Sequence, residues 1–348
     1  MIEYLAQYGL FLAKTLTIIA GIVMAAGSVF ALAMRQKSVQ EPKLEITHLN
    51  RQYEDMHKAL TSATLSEAGQ KARHKADKKR TKAEAKQEKK ATKTAESEKK
   101  RIFVLDFEGD MQASNVARLR EEISAVLIAA NEGDEVLVRL ESGGGTVHGY
   151  GLGASQLQRL RDHGVALTVS VDKVAASGGY MMACVGNTVI AAPFSIIGSI
   201  GVLAQFPNFN RLLKRHDIQF EQLYSGEYKR TLTLFGENTE KGRRKVQEEL
   251  QEMHRLFKEF VQSFRPGLDI EKVSTGEYWL GTRALDLGLV DRLQTSDDFL
   301  MTALNEADLV GLRYHKKKTL VEKLGEMMKA KLYRRDDALE QTRPPMLV

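Results

Sequence analysis

A single cysteine, Cys184, stands among 348 residues. That excludes an internal disulfide framework and a multi-cysteine zinc site. It leaves the redox compartment open, because a cysteine-poor chain suits any. No Walker-type phosphate loop, dinucleotide fingerprint or metal-ligand cluster is present, so no cofactor is expected. No internal repeat is visible. Long apolar runs are also scarce, which excludes a multi-span membrane protein. Residues 187–206 pass for a span by hydropathy alone, but Asn187, Pro193 and the glycine–serine pairs argue against it. An apolar content of 43% fits a globular protein rather than a collagen-like or wholly disordered one. The length allows one large domain or two smaller ones of roughly 100–200 residues.

Charge is unevenly spread. Residues 71–101 hold 14 Lys/Arg against 5 Asp/Glu, a local balance of +9, whereas the whole chain carries +6 and the remainder therefore −3. A nucleic-acid-binding domain would distribute its basicity over a folded face, so no nucleic-acid partner is expected. A local basic run suits a solvated linker that touches anionic lipid.

One long apolar run is present. Residues 15–34, TLTIIAGIVMAAGSVFALAM, carry no charge. As a helix they would extend about 30 Å, the thickness of a bilayer's hydrocarbon core. Tyr4 and Tyr8 lie towards one end and Arg35 and Lys37 at the other, with Lys14 placed to snorkel. A cleaved signal peptide has a shorter apolar region, about 7–15 residues. Residues 1–36 therefore read as a single membrane anchor with lipid as its partner. Residues 37–101 lose their large apolar groups after Tyr53 and Met56 and end in an Ala/Lys/Glu tract. They read as a charged stalk, either helical through Glu/Lys pairs or disordered.

At Ile102 the texture changes. IFVLDF, EVLVRL (135–140), GVALTVSV (164–171) and NTVIAA (187–192) read as strands. Residues 115–130, 147–162 and 177–185 have helical spacing, and 238–264 form a long amphipathic stretch. Alternating strands and helices imply βαβ units and a parallel sheet over 102–300, with residues 301–348 as a helical C-terminal extension. Ligands in such sheets bind beyond the carboxyl ends of the strands.

Two loops fall at those ends. The first, Glu141-Ser142-Gly143-Gly144-Gly145-Thr146, is either a tight strand–helix turn or a nest of N–H groups that holds an anion. The second places Ser177 before Gly178 and Gly179 at a helix entry. Ser177 is there either an N-cap or a nucleophile whose oxyanion meets the Gly178 N–H. Together the loops give the minimal layout for acyl transfer.

The stretches SGGGTV, VAASGGYMMA, SIIGSIGV, SGEYKR and GEYWLGTRALDLGLVD occur in an order and spacing that resemble the S49 signal peptide peptidases. More narrowly, the chain is similar to the bacterial branch with an N-terminal membrane segment and a basic stalk. The resemblance implies an α/β fold of the ClpP/crotonase type, a spiral of ββα units. It implies a serine endopeptidase acting on peptides or unfolded, membrane-derived segments through a Ser–Lys dyad. Carried over by motif, the catalytic pair is Ser177 and Lys229, the oxyanion donors are Gly144, Gly145 and Gly178, and Gly198, Ser199 and Ile200 lie along the substrate. A lysine acts as base only when neutral, which desolvation favours. Among the eight histidines only His148, just past the glycine loop, offers an alternative base. Gly143 stands where the family often has proline, which loosens the loop but keeps its donors. Single-unit relatives form ring-like homo-oligomers with shared active sites, and the same is expected here. The resemblance favours the bacterial inner membrane with the peptidase domain on the periplasmic side, although the basic residues after the span favour the cytoplasm. The rival readings are a crotonase-like acyl-transfer enzyme and a non-catalytic membrane scaffold.

Overall fold

The computed structural model describes residues 2–35, 43–64 and 99–315. The chain divides into two units, residues 1–43 with 315–348 and residues 44–314. The first holds helix α1 (Ile2–Arg35). Its side chains are described from residue 8 to residue 24, and Leu16, Ile18, Ile22, Val23 and Met24 are all exposed. Thr15 and Thr17 donate their hydroxyls to the Phe11 and Ala13 carbonyls at 2.9 and 2.7 Å, so neither needs a partner outside the helix. Among the described residues no helix is long and apolar enough to cross a membrane. Residues 25–34 of the expected span lie outside the described side chains.

The second unit is a mixed α/β fold around one large sheet. It opens with β1 (Lys43–His48) and α2 (Leu49–Thr64), then β2 (Arg101–Gly109), α3 (Val116–Ala129), β3 (Glu135–Ser142), α4 (Val147–Asp162) and β4 (Ala166–Val171). Short elements follow: β5 (Val174–Ala176), α5 (Gly178–Ala183), β6 (Thr188–Ala191) and β7 (Ile196–Gly198). After α6 (Asn210–Arg215) come the long α7 (Glu240–Phe264), α8 (Ile270–Val273), β8 (Tyr278–Leu280), α9 (Gly281–Asp286), β9 (Arg292–Leu293), α10 (Ser296–Ala303) and β10 (Asp308–His315). The strands and helices expected between 102 and 192 all form, shifted by a few residues at their ends.

β2, β3 and β4 are buried almost without interruption, as central parallel strands covered on both faces must be. Leu105 pairs with Val138, Val138 with Val169 and Val169 with Val189, all in parallel register. Leu119, Ile123 and Val126 on α3 and Tyr150, Leu157 and Leu160 on α4 recur at helical spacing and are fully buried in the core. The main path runs β1-β10-β2-β3-β4-β6-β9. β5 departs from it. It pairs with the end of β3 (Ser142 with Ala175) and then with β7 (Ala176 with Gly198), and β8 closes antiparallel on β7. This side ledge branches from the carboxyl end of β3, where the glycine loop also begins, and carries the Ser177 loop.

Two expected boundaries are corrected. Residues 43–64 are not stalk: β1 occupies the sheet edge beside β10, and Leu49 and Tyr53 pack on Ile102, Val104 and Leu309. The Asn50 amide donates to the Leu304 and Ala307 carbonyls (3.1 and 3.0 Å) and accepts from Leu309 N–H (2.7 Å). One polar side chain thus pins the start of α2 to the turn that feeds β10. The expected helical C-terminal extension, 301–348, instead opens on the end of α10 and then forms a strand, β10, which runs parallel to β2 with Leu309 opposite Ile102. Residues 65–98 of the expected stalk and 316–348 of the extension lie outside the described residues.

Asn50→Ala removes three half-buried hydrogen bonds and should lower the unfolding free energy by about 2–3 kcal/mol, at about 1 kcal/mol each. Urea unfolding of the purified protein measures it. A midpoint equal to that of the unchanged protein would mean that α2 is not docked.

Candidate active site

The glycine turn leaves β3 at Ser142 and enters α4 at Val147. Gly144 has φ +89°, and a Cβ there would lie 2.8 Å from Ala176 O, Gly178 N and Ser177 Cβ. Only glycine allows the two loops to meet so closely. A Cβ on Gly145 would collide with Met111 O, which accepts the Thr146 N–H at 2.9 Å.

Ser177 lies between β5 and α5 with φ 52° and ψ −118°. Its N–H donates to Gly198 O at 2.7 Å and its carbonyl accepts Met181 N–H at 3.0 Å. Ser177 makes no side-chain cap bond, so the N-cap alternative is not what the fold builds. Its half-buried hydroxyl is left facing a cleft. Gly178 opens α5, and its N–H has no intrahelical partner. The Gly145 N–H likewise has no hydrogen-bond partner among the described residues.

Gly144 differs from these two. Its N–H donates to Ser142 Oγ at 3.1 Å. Ser142 Oγ lies 2.5 Å from Tyr150 Oη, and the Tyr150 hydroxyl donates to Asp110 O at 2.8 Å. One assignment satisfies every group: Gly144 N–H to Ser142, Ser142 O–H to Tyr150, Tyr150 O–H to Asp110. Burial raises the Tyr150 phenol above its usual range, so it stays a donor. The donor expected from Gly144 is therefore already engaged in holding the turn. Ser142 and Tyr150 were not among the expected site residues, since a serine ending a strand and a tyrosine on a helix give no local signal. Cys184 is fully buried behind α5, where burial pushes its thiol up to about 12 and disfavours a thiolate nucleophile.

Ser177, Gly144, Gly145 and Gly178 line one cleft of about 640 Å³ together with Met111, Met181, Val202, Leu203 and His254. The expected substrate residues separate. Ser199 lines the cleft, with φ 51° and its N–H on Glu277 O at 2.7 Å. Gly198 holds the Ser177 N–H through its carbonyl. Ile200 points into the core and is fully buried. β7 is paired on both edges, by β5 and β8, so no free edge remains there for an added strand. His148 is exposed and does not line the cleft. His254 does line it, although no local pattern singles it out.

Lys229 is elsewhere. It lines a second cleft with Phe206, Phe220, Tyr224 and Phe235, and it is exposed. Among the described residues it forms no ion pair and no side-chain hydrogen bond. Its neighbours fix the turn instead. Glu227 pairs with Lys241 on α7, and the Tyr228 ring lies 5.8 and 5.4 Å from the Lys241 and Lys245 ammonium groups.

Comparison with known proteins identifies the family. Residues 3–157 match the pattern described as peptidase family S49 N-terminal, and residues 159–310 match peptidase family S49. The chain is 51% identical over 327 residues to a Haemophilus influenzae protein named "Probable protease SohB", covering 93% of this chain and 92% of that one. It is 49% identical over 304 residues to the protein of the same name from Buchnera aphidicola subsp. Schlechtendalia chinensis, covering 86% and 99%. A third, from Buchnera aphidicola subsp. Acyrthosiphon pisum, is 50% identical over 320 residues, covering 92% of each. With a glycine turn and an uncapped serine meeting at the head of α5, the chain belongs to peptidase family S49.

Proposed function

We propose that this peptidase is a serine endopeptidase in which Ser177 is the nucleophile and Lys229, supplied by a neighbouring copy, is the base. The observation that carries the reading is Ser177 itself: strained, uncapped, half-buried and beside two unpartnered N–H groups. Ser177 Oγ attacks the peptide carbonyl carbon while its proton passes to neutral Lys229 Nζ. The tetrahedral oxyanion accepts from Gly178 and Gly145 N–H. The C–N bond then breaks, the leaving amine takes the proton from Lys229, and an acyl ester remains on Ser177. Water, deprotonated by the same lysine, releases the acid and restores Ser177.

A partner-supplied base is supported by the separation of the two clefts and by the surface that surrounds Lys229. Phe206, Phe220, Leu223 and Tyr224, which line the Lys229 cleft, are exposed by 42, 44, 97 and 55%. Exposed apolar groups so concentrated favour association, at about 25 cal/mol per Å² covered. A closed ring of head-to-tail copies would give each serine a lysine. The finer fold reading, a ClpP/crotonase-type spiral, is supported by β4–β5–α5, in which a long strand, a short diverging strand and a helix follow one another. α1 is proposed as a single-pass anchor in the bacterial inner membrane with the peptidase unit in the periplasm. The uncharged run 15–34 and the family resemblance support it. Peptides and unfolded, membrane-derived segments remain the proposed substrates.

Ser177→Ala should lower kcat/KM on an unstructured peptide at least about a thousandfold with an unchanged fold by circular dichroism. Retained turnover would remove Ser177 from the chemistry. Lys229→Arg should be equally inactive, because a guanidinium does not release its proton. Full activity in that variant would reduce the lysine to a bystander. Equal amounts of Ser177→Ala and Lys229→Ala protein, unfolded together and refolded, should recover about a quarter of the wild-type rate, since about a quarter of random head-to-tail boundaries hold both intact groups. No recovery, with the mixture confirmed as oligomeric, would place both groups of a working site on one chain.

A further inference from the structure

Four buried side-chain polar atoms among the described residues lack a hydrogen-bond partner: Arg118 Nε, Glu122 Oε2, Thr146 Oγ1 and His254 Nε2. The first two belong to an ion pair with each other, 3.4 Å from Arg118 Nε to Glu122 Oε1. Of the remaining pair, only His254 borders the cleft that holds Ser177. It projects from α7 one turn before Phe257, a core residue that is 4% exposed. The same cleft is lined by Met181, Val202, Leu203, Met253 and Phe257, together with the polar Ser199 and Thr275. A buried polar atom without a partner costs about 1–3 kcal/mol, and such atoms call for an explanation.

We infer that His254 Nε2 is the polar anchor for a main-chain carbonyl of the bound peptide, in a subsite whose remaining walls take a large apolar side chain. This rests on the reading of the cleft as a peptide site. The donor role fits the imidazole chemistry. Both the neutral Nε2–H tautomer and the imidazolium donate from Nε2, and a peptide carbonyl is the acceptor that every substrate residue offers. Methionines and a phenylalanine beside a few polar groups make an adaptable, largely apolar pocket with few fixed polar contacts, the usual composition of a specific site. His254 is not placed as the base, because no hydrogen bond joins it to Ser177 and no third group orients its ring among the described residues.

The test uses the full chain with Ser177 intact, a peptide with a large apolar residue before the cut, and a small fluorophosphonate that bypasses main-chain contacts. His254→Leu should raise KM about tenfold with little change in kcat, whereas His254→Gln, which keeps a donor, should stay within about twofold. Both variants should react with the fluorophosphonate at the wild-type rate. An unchanged KM in His254→Leu would overturn the anchor. Loss of kcat and of labelling in both variants would overturn it too, by placing His254 in the chemistry. Ser177→Ala, assayed alongside, keeps the two readings apart. Cleavage retained there sinks Ser177 as the nucleophile of this cleft, whereas cleavage lost there with KM unchanged in His254→Leu sinks the anchor alone. If His254→Leu does not fold, wild-type enzyme is assayed with peptides in which successive carbonyls away from the scissile bond are replaced by methylene. One position should raise KM about tenfold, and no such position would overturn the inference.

Discussion

The strained backbone at Ser177 is the constraint on which the site depends. A residue with a Cβ held at φ 52° and ψ −118° costs about 1–3 kcal/mol, and it persists only where its surroundings fix it. Three features fix it here. β5 is trapped between β3 and β7, so the chain reaches Ser177 from a set direction. The Ser177 N–H is tied to Gly198 O, itself at a residue with φ +103°. Gly144 approaches so closely that any Cβ would press on Ser177 and Gly178. With those in place, the hydroxyl has no route to cap α5 and the Gly178 N–H faces the same space.

The chain of donors behind the glycine turn extends this constraint. Ser142, Tyr150 and Asp110 come from β3, α4 and the loop after β2, and their hydrogen bonds converge on Gly144. A Cβ on Gly109 would strike both hydroxyls and one on Gly179 would meet Ser142 O at 2.5 Å, so neighbouring glycines clear room for the network. Residue 143 is glycine, so bracing of the turn comes from these hydrogen bonds rather than from a proline ring. Buried hydroxyls that fully satisfy one another can replace a stiff ring as the source of rigidity.

Much of this was legible in the sequence, and the failures have physical causes. Apolar runs such as IFVLDF and EVLVRL announce buried parallel strands, because both faces are covered and no polar alternation is needed. β5 and β7, with three residues each, are too short to show a period. Residues 43–64 looked like stalk because none of the α2 side chains is fully buried. Its docking relies on Asn50 and on two partly buried residues, which hydropathy does not register. Ile200 was carried over to the substrate with its motif, and an apolar residue near a glycine-rich bend reads the same whether it lines a cleft or fills a core. His254 was passed over since a lone histidine on a polar helix has no local signature, and only the tertiary path of α7 brings it beside Met181 and Leu203.

The segment that carries Lys229 adds a coupling that neither loop alone suggests. It is tied together at its base by side-chain amides. Asn208 donates to Thr233 O and Gly236 O, and Asn210 donates to Phe235 O, at 2.8, 3.0 and 2.8 Å. Phe209 and Phe220 pack on Phe235 with ring centroids 6.1 and 5.7 Å apart. The segment is thus internally braced, yet these three rings remain 40–44% exposed. Two unfavourable conditions therefore coincide in the lone chain: aromatic surface in water, and an exposed lysine set apart from the serine cleft. Covering this surface with a neighbouring copy relieves both at once, since the area removed from water lowers the free energy and the same exclusion of water favours neutral lysine. In the proposed ring, assembly and activation are consequently a single event. On that proposal, an unassembled protomer would keep its serine loop in shape without the means to use it, which would limit unwanted cleavage before the ring closes.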